Sequence, residues 1–374
     1  MTDEAFGRAP PLSLGVEEEV GLLDAQTLAP APVVEALLRD AEGVALPGRL
    51  KTEFFASVVE LNTHRCDTAE EAGSALRALR RAAADLAGRQ GAVLAASGSH
   101  PTSRAEEQAI VPEPRYLDFV EYAGVSARRQ GVNGLHVHVS MPSPQAGLHV
   151  LEGILPWLPV LLAVSANSPY WAGEETGLLS NRAEILAQLP RSGPPPRFES
   201  FAEWRSFMHR FAAAGLPLTS DYTTFWWDVR LHPRFGTLEV RMPDQPTSVA
   251  LSAALVALVQ VLCATMLRRP PRPLQSGDRA VYRQNRWAAL RFGPAALLVH
   301  PEESRAVTAA ELADELLALA APEVSELGLA PLLEPLDPGR CEAERQVEVG
   351  RREGLRAVSA DVARRTVDGL ASMT

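Results

Sequence analysis

Two histidines stand two residues apart in the segment Asn133-Gly-Leu-His-Val-His-Val-Ser140. Its alternation of polar and apolar residues predicts a β-strand, in which successive side chains point to opposite faces. His136, His138 and Ser140 then share one face, and leucine and valine residues form the other. Two adjacent imidazoles are typical of a metal or phosphate site, and the apolar face indicates contact with a core.

Carboxylates recur on other predicted strands. In the first of these, Glu17 and Glu19 share one face and Glu18 points the other way. Glu53 and Glu60 have opposite parity, so a straight strand would separate them. A bend near the middle of their segment is therefore needed if both carboxylates are to serve one site.

A third acidic motif lies on a predicted strand pair later in the chain. Glu239 and Arg241 share a face of Gly236-Thr-Leu-Glu-Val-Arg-Met-Pro-Asp244, and Trp226-Trp-Asp-Val-Arg230 lies on the preceding strand. Hard cations such as Mg²⁺ prefer carboxylate oxygens and substrate phosphates, with an occasional imidazole. These residue types together predict a two-metal phosphoryl-transfer site in which arginine balances charge on the transferred group.

Each motif alone is more often structural than functional. A Glu-x-Glu pair is usually a solvated strand face, and a Glu-x-Arg pair is commonly a surface salt bridge. A lone His-x-His pair is more often hydrogen-bonded than metal-bound. Their joint occurrence on alternating strands, each with apolar residues opposite, favours a functional site.

The composition limits the classes of function. The 374 residues, 46% hydrophobic and 22% charged, are typical of a globular protein with one large domain or two smaller ones. A net charge of −10 argues against a broad nucleic-acid surface. Polar residues at Met1–Pro11 predict no secretory signal, and interrupted apolar runs at Val150–Ala166 and Val249–Leu267 predict buried helices, not membrane spans. We therefore expect a cytoplasmic protein.

Strands alternate with helices, and several neighbouring strands should be antiparallel, which predicts the α+β class. The strands are predicted at Ser13–Leu23, Leu50–Asn62, Ala92–Gly98, Gly134–Met141, Thr224–Leu231 and Gly236–Met242. The helices are predicted at Pro32–Glu42, Asp67–Gln90, Gly147–Asn167, Phe201–Ala214, Ser248–Leu267, Asp278–Arg291, Thr308–Ala320 and Cys341–Asp368. The loop-rich segment Ser168–Phe198 is a candidate lid or substrate loop.

The ordered series of motifs resembles the glutamine synthetase superfamily. More closely, it resembles the carboxylate–amine ligase family of the YbdK type, the glutamate–cysteine ligase 2 proteins. The matching segments, from about residue 12 to about residue 293, are Leu14-Gly-Val-Glu-Glu-Glu19, Val59-Glu-Leu-Asn-Thr63, Gly98-Ser-His-Pro101, Pro114-Arg-Tyr116, Gly134-Leu-His-Val-His-Val139, Ser165-Ala-Asn-Ser-Pro-Tyr-Trp171, Leu189-Pro-Arg-Ser-Gly193, Trp226-Trp-Asp-Val-Arg230, Thr237-Leu-Glu-Val-Arg241 and Asn285-Arg-Trp287.

The resemblance implies a glutamine-synthetase-like fold, with an antiparallel sheet cupping the active site and helices on its outer face. It implies a single domain over residues 1–374, in which residues 12–293 carry the motifs and residues 294–374 form a helical part packed on them. It also implies ATP-dependent amide formation with Mg²⁺ or Mn²⁺. The substrates would be a small carboxylic acid and an amine, glutamate and cysteine among the candidates.

By motif, the resemblance also implies roles for individual residues. One metal ion would be held by Glu19, Glu53 and Glu60. The other would be held by Glu17, His136 and Glu239. The nucleotide would be contacted by His138, Ser140 and Arg241, with Arg241 at the γ-phosphate. Arg182, in Ser180-Asn-Arg182, resembles a substrate contact, although the family has Ser-Tyr-Arg there.

Other functions remain open from the residues alone. A metal-dependent hydrolase can use His-x-His, but it would need further histidines in order along the chain. A non-catalytic nucleotide- or metabolite-binding relative would keep the same fold. A guanidino-kinase-like phosphotransferase would share the architecture and form no amide. We also expect a homo-oligomer, because the predicted sheet has edges to cover.

Overall fold

The strand that carries Glu17 and Glu19 lies inside a seven-stranded antiparallel sheet in the computed structural model, which describes residues 4–271 and 277–370. The predicted domain, residues 1–374, extends beyond the described residues at both ends. The strands are β1 (Leu14–Asp24), β2 (Gly48–Thr52), β3 (Val58–Thr63), β4 (Ala92–Ala95), β5 (Leu135–Ser140), β6 (Tyr170–Trp171), β7 (Glu174–Glu175), β8 (Val229–His232), β9 (Thr237–Val240), β10 (Leu297–Val299) and β11 (Ala306–Thr308).

The register of the main sheet brings the acidic motifs together. Its strand order is β2-β3-β1-β5-β9-β8, and β4 pairs with the far end of β1. Glu17 lies opposite His136 on one side of β1, and Glu19 lies opposite Glu60 on the other. Motifs that are more than a hundred residues apart in sequence therefore share one face of the sheet.

Helices cover the other face and the ends of the sheet. They are α1 (Val34–Asp40), α2 (Ala69–Arg89), α3 (Pro114–Ala123), α4 (Val125–Arg128), α5 (Pro144–Ile154), α6 (Leu158–Ser165), α7 (Asn181–Leu186), α8 (Phe201–Ala213), α9 (Val249–Arg268), α10 (Asp278–Phe292), α11 (Ala309–Leu319), α12 (Ala321–Glu326), α13 (Ala330–Leu333), α14 (Glu342–Glu353) and α15 (Leu355–Val367). The predicted outer face is confirmed: Val16, Leu135 and Val137 are buried in the core that α9 and α2 share with the sheet.

Glu18 also points to this helical face, as the strand parity predicted. Its carboxylate accepts hydrogen bonds from Arg80 of α2, at 2.7 Å from Nε and 2.6 Å from Nη2. The same guanidinium donates to the carbonyl oxygens of Pro246 and Thr247, which follow β9 in the chain. This ion pair, fully buried on both sides, ties β1 to α2 and to the segment behind β9.

Two helical stretches are long and apolar enough to cross a membrane. They are Pro144–Ser165 and Val249–Arg268, and 78% and 89% of their most apolar windows are buried inside the protein. The first is divided by a 3₁₀ turn at Leu155–Trp157 into α5 and α6. Both stretches therefore occupy core positions, which is the role that their interruptions predicted.

Two strand predictions need correction. The segment predicted as one strand over Leu50–Asn62 forms two antiparallel strands, β2 and β3, joined by a turn. The strand predicted over Thr224–Leu231 begins only at Val229. A 3₁₀ turn ends at Thr224, and in the stretch between them Trp227 forms an isolated bridge with Gly193 instead of joining the main sheet. In the first case the turn supplies the bend that Glu53 and Glu60 required.

Two predictions on helices and loops also need correction. The loop-rich segment Ser168–Phe198 contains the short strands β6 and β7 and the helix α7. The helix predicted over Cys341–Asp368 is divided into α14 and α15 at Gly354, whose φ of +85° lies in the region that favours glycine. Gln346 of α14 donates to the backbone and side-chain oxygens of Asn167, so this helix pair packs on the segment that follows α6.

Candidate active site

Glu17, His136 and Glu239 come together at the centre of the open sheet face. His136 Nδ1 lies 3.4 Å from Glu17 Oε2, and His138 Nε2 lies 3.7 Å from Glu17 Oε1. Burial opposes ionisation of Glu17, but the hydrogen bond from His136 and the two imidazoles lower its pKa to about 2. Burial and the neighbouring Arg241 lower the pKa of His136 to about 4, so its imidazole is neutral at pH 7.

Two arginines bind the Glu239 carboxylate. Arg230 of β8 donates from Nε to Oε2 at 2.6 Å and from Nη2 to Oε1 at 3.1 Å, and Arg241 Nη1 donates to Oε1 at 2.5 Å. Although burial opposes ionisation, the two guanidinium groups hold the pKa of Glu239 well below its usual range. The sequence motif contained Arg230 without a role for it. Its position directly opposite Glu239 in the β8–β9 register is the signal that identifies it.

This set fits a divalent cation by distance and by chemistry. One donor atom from each of Glu17, His136 and Glu239 lies within 4.8 Å of the others. In an octahedral site with bonds of about 2.1 Å, neighbouring ligand atoms are about 3 Å apart and opposite ones about 4.2 Å apart. Two carboxylates and one neutral imidazole suit Mg²⁺ or Mn²⁺ better than zinc. Within the described residues, no other group of acidic, histidine or cysteine side chains meets this spacing.

The second predicted set, Glu19, Glu53 and Glu60, forms a looser carboxylate cluster. Burial and the charges of Glu19 and Glu60 raise the pKa of Glu53 well above its usual range. Glu19 accepts a 2.6 Å hydrogen bond from the backbone N–H of Gly134, and Lys51 Nζ lies 3.3 Å from Glu60. The positive charge of the protein around this cluster is therefore too small to balance its carboxylates. A bound cation would reduce the repulsion between them.

We expect Glu53→Gln to raise the stability of the metal-free protein. The folded-state pKa of Glu53 lies above the unfolded value, so its carboxyl group disfavours folding increasingly as the pH rises through that range. The gain in free energy of unfolding should therefore be larger at pH 8 than at pH 5. Urea unfolding in chelator measures it. Glu348→Gln, at an exposed glutamate paired with Arg340, should change little, and a Glu53→Gln protein no more stable than the parent would contradict the argument.

Arg182, on α7, lies beside the carboxylate cluster rather than on a free loop. Its guanidinium donates to the backbone oxygens of Arg241 and Met242, and its Nε is buried without a hydrogen-bond partner among the described residues. A side chain at Gly134 would collide with this guanidinium and force it to move. Asp244 fixes the surrounding backbone by accepting from Asn167, Ser168 and Ser180. The predicted substrate contact is therefore a rigid group.

His138 and Ser140 line a cavity of about 500 Å³ that opens beside Glu17. Its lining contains one carboxylate and four cationic side chains, which are Arg49, Lys51, Arg65 and Arg234. In a chain of net charge −10, this local excess of positive charge favours an anionic ligand. His138 Nδ1 lies 3.0 Å from the Thr237 hydroxyl. The Ser140 hydroxyl is already bonded to Ser13 and to the carbonyl of Pro10, so its contact with a nucleotide stays a prediction.

A second cavity, of about 530 Å³, adjoins the first. The two share Arg234 and Phe235 of the turn between β8 and β9. Phe235 stacks on His232, with ring centroids 4.2 Å apart. The second cavity is lined by aromatic side chains, including Trp204 and Tyr222. We refer to these two adjoining cavities, the first cationic and beside Glu17 and the second aromatic, as the cleft.

Comparisons with known proteins identify the family of this chain. The model of glutamate–cysteine ligase family 2 matches residues 13–361. A protein of Rubrobacter xylanophilus named "Putative glutamate--cysteine ligase 2-3" is 40% identical over 93% of this chain and 95% of its own length. A protein of Herpetosiphon aurantiacus named "Putative glutamate--cysteine ligase 2" is 32% identical over 96% of this chain and 94% of its own length.

Solved structures show the same fold at low sequence identity. The glutamate–cysteine ligase of Francisella tularensis in complex with AMP has a TM-score of 0.73 at 14% identity, covering 97% of this chain and 90% of that one. A bifunctional glutathione synthetase from Pasteurella multocida has a TM-score of 0.70 at 16% identity, covering 96% of this chain and 53% of that one. These likenesses confirm the predicted glutamine-synthetase-like α+β fold. Because its family model and its relatives span nearly its whole length, the chain belongs to glutamate–cysteine ligase family 2.

Proposed function

We propose that the protein is an ATP-dependent carboxylate–amine ligase that forms an amide bond through an acyl phosphate. The observation that carries this proposal is the Glu17–His136–Glu239 donor set, of which Glu17 also lines a cavity with four cationic side chains. The set can hold a cation, and the cavity can hold the phosphates that the cation would bridge. The relatives carry the names "Putative glutamate--cysteine ligase 2-3" and "Putative glutamate--cysteine ligase 2", and these names support the same reaction class.

The reaction would proceed in two displacements. An oxygen of the acid's carboxylate attacks the γ-phosphorus of ATP, the bond to the β,γ-bridging oxygen breaks, and ADP leaves. The amine then attacks the carbonyl carbon of the acyl phosphate, inorganic phosphate leaves, and the amine loses a proton. One divalent cation, Mg²⁺ or Mn²⁺, would be held by Glu17, His136 and Glu239. A second would be held by Glu19, Glu53 and Glu60. Both cations would neutralise negative charge on the phosphates.

The chain's own side chains orient and balance these groups. Arg230 holds Glu239 ionised and in place. Arg241 contacts the same carboxylate, and its positive charge would stabilise the transferred phosphoryl group. Arg182 stands beside Glu19 and would bind the carboxylate of the acid substrate or the negative charge that develops next to it. Asn181 stands where the family has tyrosine, so the acid and the amine need not be glutamate and cysteine.

The alternatives are less well supported by the site. A zinc hydrolase using His-x-His would need both histidines in one donor set, but His138 is not part of it among the described residues. A non-catalytic relative would not need the acidic cluster around Glu53, in which neighbouring carboxylates raise the pKa of the Glu53 carboxyl group. We propose in addition a single domain, a homo-oligomeric state and a cytoplasmic location.

An ADP-release screen tests the proposal directly. The full-length protein is incubated with ATP, Mg²⁺ or Mn²⁺, and pairs of amino acids or other acids with amines, and products are identified by mass. We expect ADP and phosphate in equal amounts with an amide product, no turnover after chelation, and hydroxamate formation when hydroxylamine replaces the amine. ADP release without an amide across the screen would favour a phosphotransferase. Tightly bound zinc with no ATP requirement would favour the hydrolase.

A further inference from the structure

The side chain of Asn62 has no hydrogen-bond partner among the described residues. Asn62 of β3 lies between Glu17 of β1 and Arg49 of β2 in the sheet register, and it lines the cavity beside Glu17. Only 9% of Asn62 is exposed, and its Oδ1 is buried with no hydrogen-bond partner among the residues of the described chain. Buried polar atoms are nearly always paired, so a side-chain amide left open at the wall of a cavity points to a ligand that completes it.

The neighbouring strand supplies a matching cation. Arg49 is exposed on the edge strand β2, on the same face as Asn62, and over the described residues it forms no ion pair. By contrast, Lys51 on the same strand is engaged with Glu60. An unpaired guanidinium beside an unpaired amide offers several N–H donors over a short distance, which is an arrangement suited to phosphate oxygens.

We propose that Asn62 and Arg49 together contact the polyphosphate of a nucleoside triphosphate. This inference rests on the proposed function and names two residues of the same site to which no role has been assigned. The Asn62 amide nitrogen donates to a non-bridging phosphate oxygen, and its Oδ1 accepts from a water of the phosphate or the bound cation. Arg49 balances the phosphate charge from the open side of the cleft. The pair therefore responds to the β- and γ-phosphates and not to the nucleoside.

The test compares ATP with AMP. Dissociation constants of the full-length protein are measured in Mg²⁺, for ATP by calorimetry and for AMP by competition with ATP. A hydrogen bond to a charged group contributes about 1.5–3 kcal/mol, so Asn62→Leu should weaken ATP about 10- to 150-fold. AMP should change less than about twofold. Arg49→Gln should weaken ATP by a smaller factor that shrinks as the salt concentration rises, because its charge is solvent-exposed.

Gln260→Met is the matched control. Gln260 is also a buried amide with an unpartnered oxygen, but it lies on α9 on the opposite side of the sheet. Its replacement should leave both nucleotides unchanged. Asn62→Ala provides a second variant if the leucine protein does not fold.

The outcomes separate this inference from the proposed function. If the parent protein does not bind ATP, both the proposed function and this inference are wrong. If the parent binds ATP and both Asn62 variants bind it equally well, this inference alone is wrong. If ATP and AMP weaken together, Asn62 supports the fold of the cleft rather than the phosphates, which also overturns it.

Discussion

Replacement of Glu239 by glutamine should reduce ATP-dependent turnover by at least about 10²- to 10³-fold, which is the scale on which losing one preorganised electrostatic group acts. The carboxylate is buried and accepts hydrogen bonds from Arg230 and Arg241, and one of its oxygens lies within 4.8 Å of possible ligand atoms of Glu17 and His136. A neutral amide keeps the shape but removes the charge that balances two guanidinium groups. It is also a poorer ligand for a hard cation. Initial rates of ADP release, with substrates found in the screen, measure the loss.

Two further measurements distinguish loss of the metal ligand from loss of the fold. Circular dichroism and a thermal melt of Glu239→Gln establish whether the fold is intact, because unbalanced arginines can also cost stability. Binding of Mn²⁺, followed by electron paramagnetic resonance, should weaken in Glu239→Gln and stay unchanged in the surface variant Glu348→Gln. Near-normal turnover by a folded Glu239→Gln protein would refute the assignment of Glu239 as a metal ligand.

The second large effect is expected on stability, at Arg80. Arg80 and Glu18 are both fully buried, and the guanidinium also satisfies the carbonyl oxygens of Pro246 and Thr247. Arg80→Met would leave the Glu18 charge buried without its counter-ion, and breaking such a pair typically costs about 3–5 kcal/mol. Urea unfolding curves, with the slope checked for two-state behaviour, give the difference in free energy of unfolding.

A double variant tests the physical reason. Arg80→Met combined with Glu18→Leu removes both charges, so it should recover part of the stability lost in Arg80→Met alone. Ser252 and Gln245 would lose their bonds to Glu18, and recovery should therefore be incomplete. A single Arg80→Met variant within about 1 kcal/mol of the parent would show that water or rearranged side chains replace the ion pair.

Local pattern was sufficient to predict much of the site. Strand alternation correctly separated Glu17 and Glu19 from Glu18, and it placed His136 and His138 on one face. The metal and nucleotide roles of these residues remain predictions. The fold class followed from the order of strands and helices together with the resemblance.

Partners that depend on tertiary packing were not predictable from spacing. Arg80 is 62 residues from Glu18, and its approach depends on how α2 crosses the sheet. Two of the three donors to Asp244, Ser168 and Ser180, come from the segment that the sequence indicated only as a loop, and Asn167 was predicted as the end of a helix. The start of β8 was missed because the aromatic residues before it, which resemble a strand in sequence, pack against Phe207 and Phe211 of α8 instead of joining the sheet.

The alternation along β1 has a consequence for deletions. Glu18 separates two residues that face the cleft, and β1 is paired on both sides through this stretch, with β3 and with β5. Loss of the single codon for Glu18 would leave Glu17 and Glu19 chemically unchanged but send them to opposite faces of the sheet. One carboxylate would then enter the apolar layer against α2 and α9. At this position, chain length as well as residue identity constrains the protein.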